Sequence, residues 1–116
     1  MTKPVELRLR AEEDIDAALD RYVDEGGSAL AMRFIDAIER AVGQIGRHPL
    51  VGSLKYSFDL GIPELRSWPV PKFPYVIFYV VSPDRIDIWR ILHARRDITN
   101  DLIRPDDPGG SVEPRE

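Results

Sequence analysis

Residues 64–97, ELRSWPVPKFPYVIFYVVSPDRIDIWRILHARRD, decide the fold and read as three consecutive strands. Tyr75 to Val81 is an unbroken apolar, aromatic and β-branched run, the composition of a central strand covered on both faces. The run after it alternates. Ile86, Ile88 and Leu92 fall on one face with Arg90 interrupting, while Asp87, Trp89, Ile91 and His93 fall on the other. Pro69, Pro71 and Pro74 restrict the first strand to a sheet edge or break it with a bulge, and Ser82-Pro83-Asp84 is a turn between the second and third. The last strand runs out into His93, Arg95 and Arg96, which carry hydrogen-bond donors and positive charge to the rim of the sheet.

Upstream, Val5, Leu7 and Leu9 alternate with charged residues, the period of a short strand with one buried face. The period then changes to that of a helix. From Ala11 to Glu25, Ile15, Ala18, Leu19 and Tyr22 recur at i, i+3, i+4 and i+7, and Gly26-Gly27 supplies a stop. Ser28 is a suitable N-cap for a second helix reaching about Arg47, whose apolar face includes Phe34, Ile35, Ile38 and Ile45. So short a link implies an antiparallel helical hairpin. His48-Pro49 ends it, and residues 49–63, with Pro49, Gly52, Gly61 and Pro63, read as a long irregular crossing to the sheet. After Asp97, ITNDLIRP allows one or two helical turns docked through Ile98, Leu102 and Ile103. The expected organisation is one domain over residues 1–104 and a disordered acidic tail over 105–116. Its class is α+β, in the order β-α-α-β-β-β, with an N-terminal helical hairpin packed on a mostly antiparallel sheet.

A chain of 116 residues with 43% hydrophobic content supports one modest core. It has no cysteine, which removes disulfides, thiolate nucleophiles and Cys-based metal sites. Its two histidines, His48 and His93, are far apart in sequence, and no metal site and no cofactor are expected. Gly26-Gly27 and Gly52 lack the pattern of a phosphate-binding loop, and Ser53 and Ser57 have no neighbouring base. No apolar segment approaches the roughly 20 residues of a membrane span, so a soluble, cytoplasmic protein is expected. The net charge of −4 argues against a general nucleic-acid binder, and no direct sequence-specific DNA binding is expected. Charge is nevertheless segregated. Residues 1–60 carry 8 Lys/Arg against 11 Asp/Glu, residues 61–104 carry 7 against 5, and residues 105–116 carry 1 against 4, so only the strand section is positive.

His93, Arg95 and Arg96 are the leading functional candidates, since a histidine beside two guanidiniums can hold a phosphate and move a proton near neutral pH. The alternative is that the arginines meet acidic groups of a partner or of this chain while His93 satisfies a strand-end carbonyl. Arg66 and Lys72 on the preceding hairpin are candidates for the same surface. Tyr75, Tyr79 and Trp89 belong to the most apolar strands and are expected to pack in the core. Glu12, Glu13, Asp14 and Asp16 are expected on a solvated helix face.

In order and spacing, AEEDIDAALDRY, ALAMRFIDAIERAVGQIGRHPLVG, ELRSWPVPKFPYVIFYVV and IDIWRILHARRD resemble the ParE branch of the RelE/ParE superfamily of toxin–antitoxin toxins, over about residues 5–103. The resemblance implies a small toxin that acts as an inhibitor rather than an enzyme, poisoning DNA gyrase by protein–protein binding. It also implies neutralisation by a ParD-like antitoxin laid across the groove between hairpin and sheet. On this reading His93, Arg95, Arg96 and Leu102 contact the target, and Ile15, Leu19, Tyr22, Phe34 and Ile38 contact the antitoxin. The RelE-like alternative is an mRNA endonuclease working on the ribosome without metal, through Arg66, His93, Arg95 and Arg96. RelE-like chains are strongly basic, and this one is acidic. A third reading is an inactive toxin retained as an antitoxin-binding module.

Overall fold

The computed structural model describes residues 3–95 and 98–103, the latter without the side chains of Thr99, Asn100 and Ile103. Arg96 and the tail 105–116 lie outside the described residues. Four strands form one sheet in the order β1-β4-β3-β2: β1 (Val5–Leu7), β2 (Arg66–Pro69), β3 (Tyr75–Val81) and β4 (Ile86–His93). β1 pairs parallel with β4, and the other two pairings are antiparallel. The apolar run Tyr75–Val81 therefore takes a central place. The proline-flanked strand β2 is an edge, with Pro69 as its last residue, and among the described residues only Ser53 bridges to its outer side, at Ser67.

Between β1 and β2 comes α1 (Leu9–Arg47), interrupted at Gly27, whose φ of 76° and ψ of −173° are open essentially to glycine alone. The interruption folds α1 back on itself. Tyr22 and Phe34 stand with ring centroids 5.2 Å apart, whereas twelve residues of straight helix would separate them by roughly 18 Å. The hairpin lays Ala11, Ala18, Tyr22, Phe34, Ile38 and Ile45 on one face of the sheet, against Tyr75, Ile77, Tyr79, Ile86, Ile88 and Ile91. Phe73 packs near the turn end of the hairpin, with its ring 5.2 Å from Tyr22 and 5.3 Å from Phe34.

The opposite face is covered more thinly. The crossing expected to be irregular contains a 3-10 turn (Pro49–Val51) and a helix α2 (Lys55–Leu60) that ends at Gly61 in the left-handed region. Tyr56, Leu60 and Ile62 from this crossing, with Ile98 and Leu102 of α3 (Ile98–Ile103), pack on Leu65, Phe78 and Leu92.

The alternation expected along β4 is broken once. Tyr79 pairs with Ile88 but Phe78 with Arg90, so Trp89 is an extra residue bulged into β4. Beyond the bulge the faces exchange: Ile91 joins Ile86 and Ile88 under the helices, and Leu92 joins Trp89 on the far side.

Candidate functional site

The sheet has two ends rich in cations, and they are built differently. At one end Arg66 of β2 donates from Nη1 to the carbonyls of Leu50 and Gly52, at 3.2 and 2.9 Å. Beside it the buried Tyr79 hydroxyl donates to Pro49 O at 2.8 Å and accepts from the Gly52 N–H at 2.9 Å. Burial raises the Tyr79 phenol above its ordinary value, with the Gly52 N–H and the Arg66 charge opposing. Gly52 is required for this approach, because a Cβ there would lie 2.6 Å from the Tyr79 oxygen. These groups hold the chain crossing in place.

At the other end β4 finishes on His93, opposite Tyr75. The two rings meet edge to face at 5.2 Å, and His93 Nδ1 accepts the Arg95 N–H at 3.1 Å. A neutral ring then carries its proton on Nε2. The Ala94 N–H donates to Pro74 O at 2.8 Å, which ties the strand exit to the β2–β3 hairpin. In that hairpin Lys72 sits exposed with φ of 69°, in a turn that follows Pro71. Arg66 pairs with Tyr79 and His93 with Tyr75, four residues along β3, or roughly 13 Å. Arg66 is thus not brought to His93 and Arg95.

A groove of about 590 Å³ opens at the His93 end, between the first limb of α1 and the ends of β3 and β4. Ala17, Ala18, Tyr75 and Ile91 give it apolar lining, and Asp14, Arg21, Glu25, His93 and Arg95 give it polar rims. Small side chains make the space, since two alanines stand where a longer residue would fill it. Arg21 reaches the Tyr75 hydroxyl at 3.4 Å and Glu25 at 4.0 Å, whereas the exposed Arg95 guanidinium makes no ion pair among the described residues. Behind the groove the Tyr22 phenol is raised, first by burial and then by Tyr75 and Glu25, with Arg21 opposing. It stays neutral and packs as an aromatic.

The residues expected to meet an antitoxin have another use. Tyr22, Phe34 and Ile38 are 7%, 0% and 5% exposed and form the domain's own core, and Ile15 and Leu19 are half-buried against it. The accessible strip of the first limb runs instead through Ala17, Arg21 and Glu25. Leu102 is half-buried on the far face of the sheet. Asp14, expected on a solvated face, is a correction: its side chain is 10% exposed and receives a bidentate fork from Arg90 at 2.8 and 2.9 Å. Two signals were available for it. Asp14 stands three residues after the buried Ala11 and four before Ala18, and an arginine interrupting an apolar strand calls for a carboxylate. Trp89 is half-buried, with the Arg8 guanidinium 4.6 Å from its ring centroid. Among the described residues no group of three or more His, Asp or Glu is placed to hold a metal ion, and no helix is long and apolar enough to cross a membrane.

The family model described as "ParE toxin of type II toxin-antitoxin system, parDE" matches residues 5–98. The fold is similar to a solved structure titled "Chromosomal ParDE TA system from P. aeruginosa", with a TM-score of 0.69 at 21% identity, covering 81% of this chain and 98% of that one. No curated protein matches the sequence.

Proposed function

Since the chain belongs to the ParE toxin family of type II toxin–antitoxin systems, we propose that it acts in the cytoplasm by binding DNA gyrase and is neutralised by a ParD-like antitoxin seated in the His93 groove. The observation that carries this reading is Arg95, an exposed guanidinium without an ion pair among the described residues, beside a lining of Ala17, Ala18, Tyr75 and Ile91. A groove with charged walls over a narrow apolar floor, where Ala18, Tyr75 and Ile91 are 2%, 6% and 1% exposed and Ala17 is the exposed apolar residue, suits the polar side of an amphipathic protein segment. From Asp14 to Glu25 the helical wall spans about 16 Å, the length of about three helical turns. Target contacts would lie on His93, Arg95, Arg96 and Leu102. An antitoxin covering His93 and Arg95 would mask part of that surface, so neutralisation would proceed by competition.

The separation of Arg66 from His93 weighs against a ribonuclease, in which both would have to reach one phosphate. The experiment is a supercoiling assay with purified gyrase. Inhibition by the toxin, relieved by a stoichiometric ParD-like antitoxin, is expected, and unimpaired supercoiling at high toxin excess would contradict the proposal. Cleaved transcripts that disappear with His93→Ala would favour the ribonuclease. Harmless overexpression of the folded protein would favour an inactive antitoxin-binding module.

A further inference from the structure

Three elements meet at one buried guanidinium. Arg90, beside the bulge of β4, is 7% exposed, and its Nε and Nη2 donate to the two carboxylate oxygens of Asp14 on α1 at 2.8 and 2.9 Å. Its third nitrogen, Nη1, donates at 3.2 Å to the backbone carbonyl of Asp101 in α3. Asp14 Oδ2 accepts a further 2.9 Å bond from the Ile91 N–H.

A six-residue helix does not persist on its own, so α3 depends on what it docks against. Ile98, 8% exposed, and half-buried Leu102 supply apolar contacts on the far face. The carbonyls of the last turn have no donor within a helix. For Asp101 that donor would come from residue 105, which is proline and has no N–H. Arg90 supplies one, and its charge complements the negative end of the α3 dipole. Two apolar side chains of similar volume could join β4 to α1 without desolvating a charge pair, but they could offer nothing to the carbonyl of α3.

We infer that Arg90 is a positioning residue for the segment that meets the toxin's target: Asp14 fixes the guanidinium fork, and the fork fixes α3. Asp14 also stands on the groove wall, so the groove and α3 are held in one register. The link to the target rests on the function proposed above, whereas the anchoring of α3 does not.

Hydrogen exchange on the full-length toxin separates the two. Arg90→Lys keeps a cation for Asp14 but has no planar fork to serve Asp14 and Asp101 together. Amide protection over residues 98–103 is expected to fall roughly tenfold, with the amides of β3 unchanged. The double variant Asp14→Leu/Arg90→Met leaves neither charge buried alone and is expected to show the same selective loss. In the supercoiling assay Arg90→Lys is expected to weaken gyrase inhibition about tenfold while antitoxin affinity stays within about twofold. Wild-type protection of α3 in both variants would overturn the inference. So would loss of β3 protection in both, which would make the pair a general support of the core. Lost α3 protection with undiminished inhibition would overturn the positioning role. If the wild-type toxin leaves gyrase untouched, the function reading falls and the exchange data alone decide whether Arg90 anchors α3.

Discussion

Arg66 and Arg95 stand at opposite ends of the same sheet and are put to opposite uses. Arg66 commits its Nη1 to two carbonyls of its own chain, those of Leu50 and Gly52, and Tyr79 and Gly52 pack beside it. Arg95 borders an open groove and makes no ion pair among the described residues. The same residue type is structural where the backbone crosses over it and available where two alanines keep the backbone's neighbourhood empty. Positive charge alone therefore does not distinguish the two ends; the backbone carbonyls bound by Arg66, set against an Arg95 with no ion pair among the described residues, do.

The contrast can be broken by substitutions at either end. The largest effect is expected from Gly52→Ala, whose Cβ would lie 2.6 and 2.9 Å from Tyr79 atoms and 3.0 Å from the Arg66 Cβ. Overpacking of this kind costs about 2–3 kcal/mol, read as a lower midpoint in urea unfolding, with antitoxin affinity retained by the folded fraction.

Arg66→Ala and Tyr79→Phe are each expected to cost about 1–2 kcal/mol, because each leaves backbone groups of the crossing without a partner. The Tyr79 contribution has a defined pH dependence. Its folded pKa is raised above the ordinary 10.0, so the neutral phenol is favoured by folding. That stability is complete below pH 10 and is lost as pH rises from there through the folded value. Alkaline denaturation followed by circular dichroism should show this loss in the wild type and a smaller one in Tyr79→Phe.

At the groove end the signs reverse. Arg95→Glu is expected to leave unfolding within about 0.5 kcal/mol of wild type while weakening antitoxin binding about tenfold, chiefly through association rate. Calorimetry and stopped-flow mixing would check both. The smallest effect concerns the hairpin beside the groove. Lys72 holds a positive φ that glycine adopts freely, so Lys72→Gly is expected to stabilise the fold by about 0.5 kcal/mol after glycine's extra chain entropy is subtracted. A destabilisation in the same urea titration would contradict that assignment.

The strands, the helical hairpin and the edge position of β2 were legible because each has a residue-level cause: an apolar run at Tyr75–Val81, a glycine pair at 26–27, and prolines at 69, 71 and 74. The bulge at Trp89 was not legible. A single extra residue leaves the local composition of a strand intact and changes only which partner each side chain faces. Helix α2 was missed because six residues give too few turns for periodicity to register, although Gly61 is a recognisable stop. Of the residues lining the candidate groove, His93 and Arg95 were singled out from the strand exit. The opposite wall was not, since Ala17, Arg21 and Glu25 read as an ordinary outer helix face until the fold places β4 beside them.

Amide chemical-shift mapping of the toxin during titration with a ParD-like antitoxin tests most directly which end of the sheet is the docking surface. Perturbations are expected at Ala17, Ala18, Arg21, Tyr75, Ile91 and Arg95, with residues 47–53 and Arg66 unaffected. Shifts concentrated at residues 47–53 and Arg66, with the groove silent, would contradict the assignment.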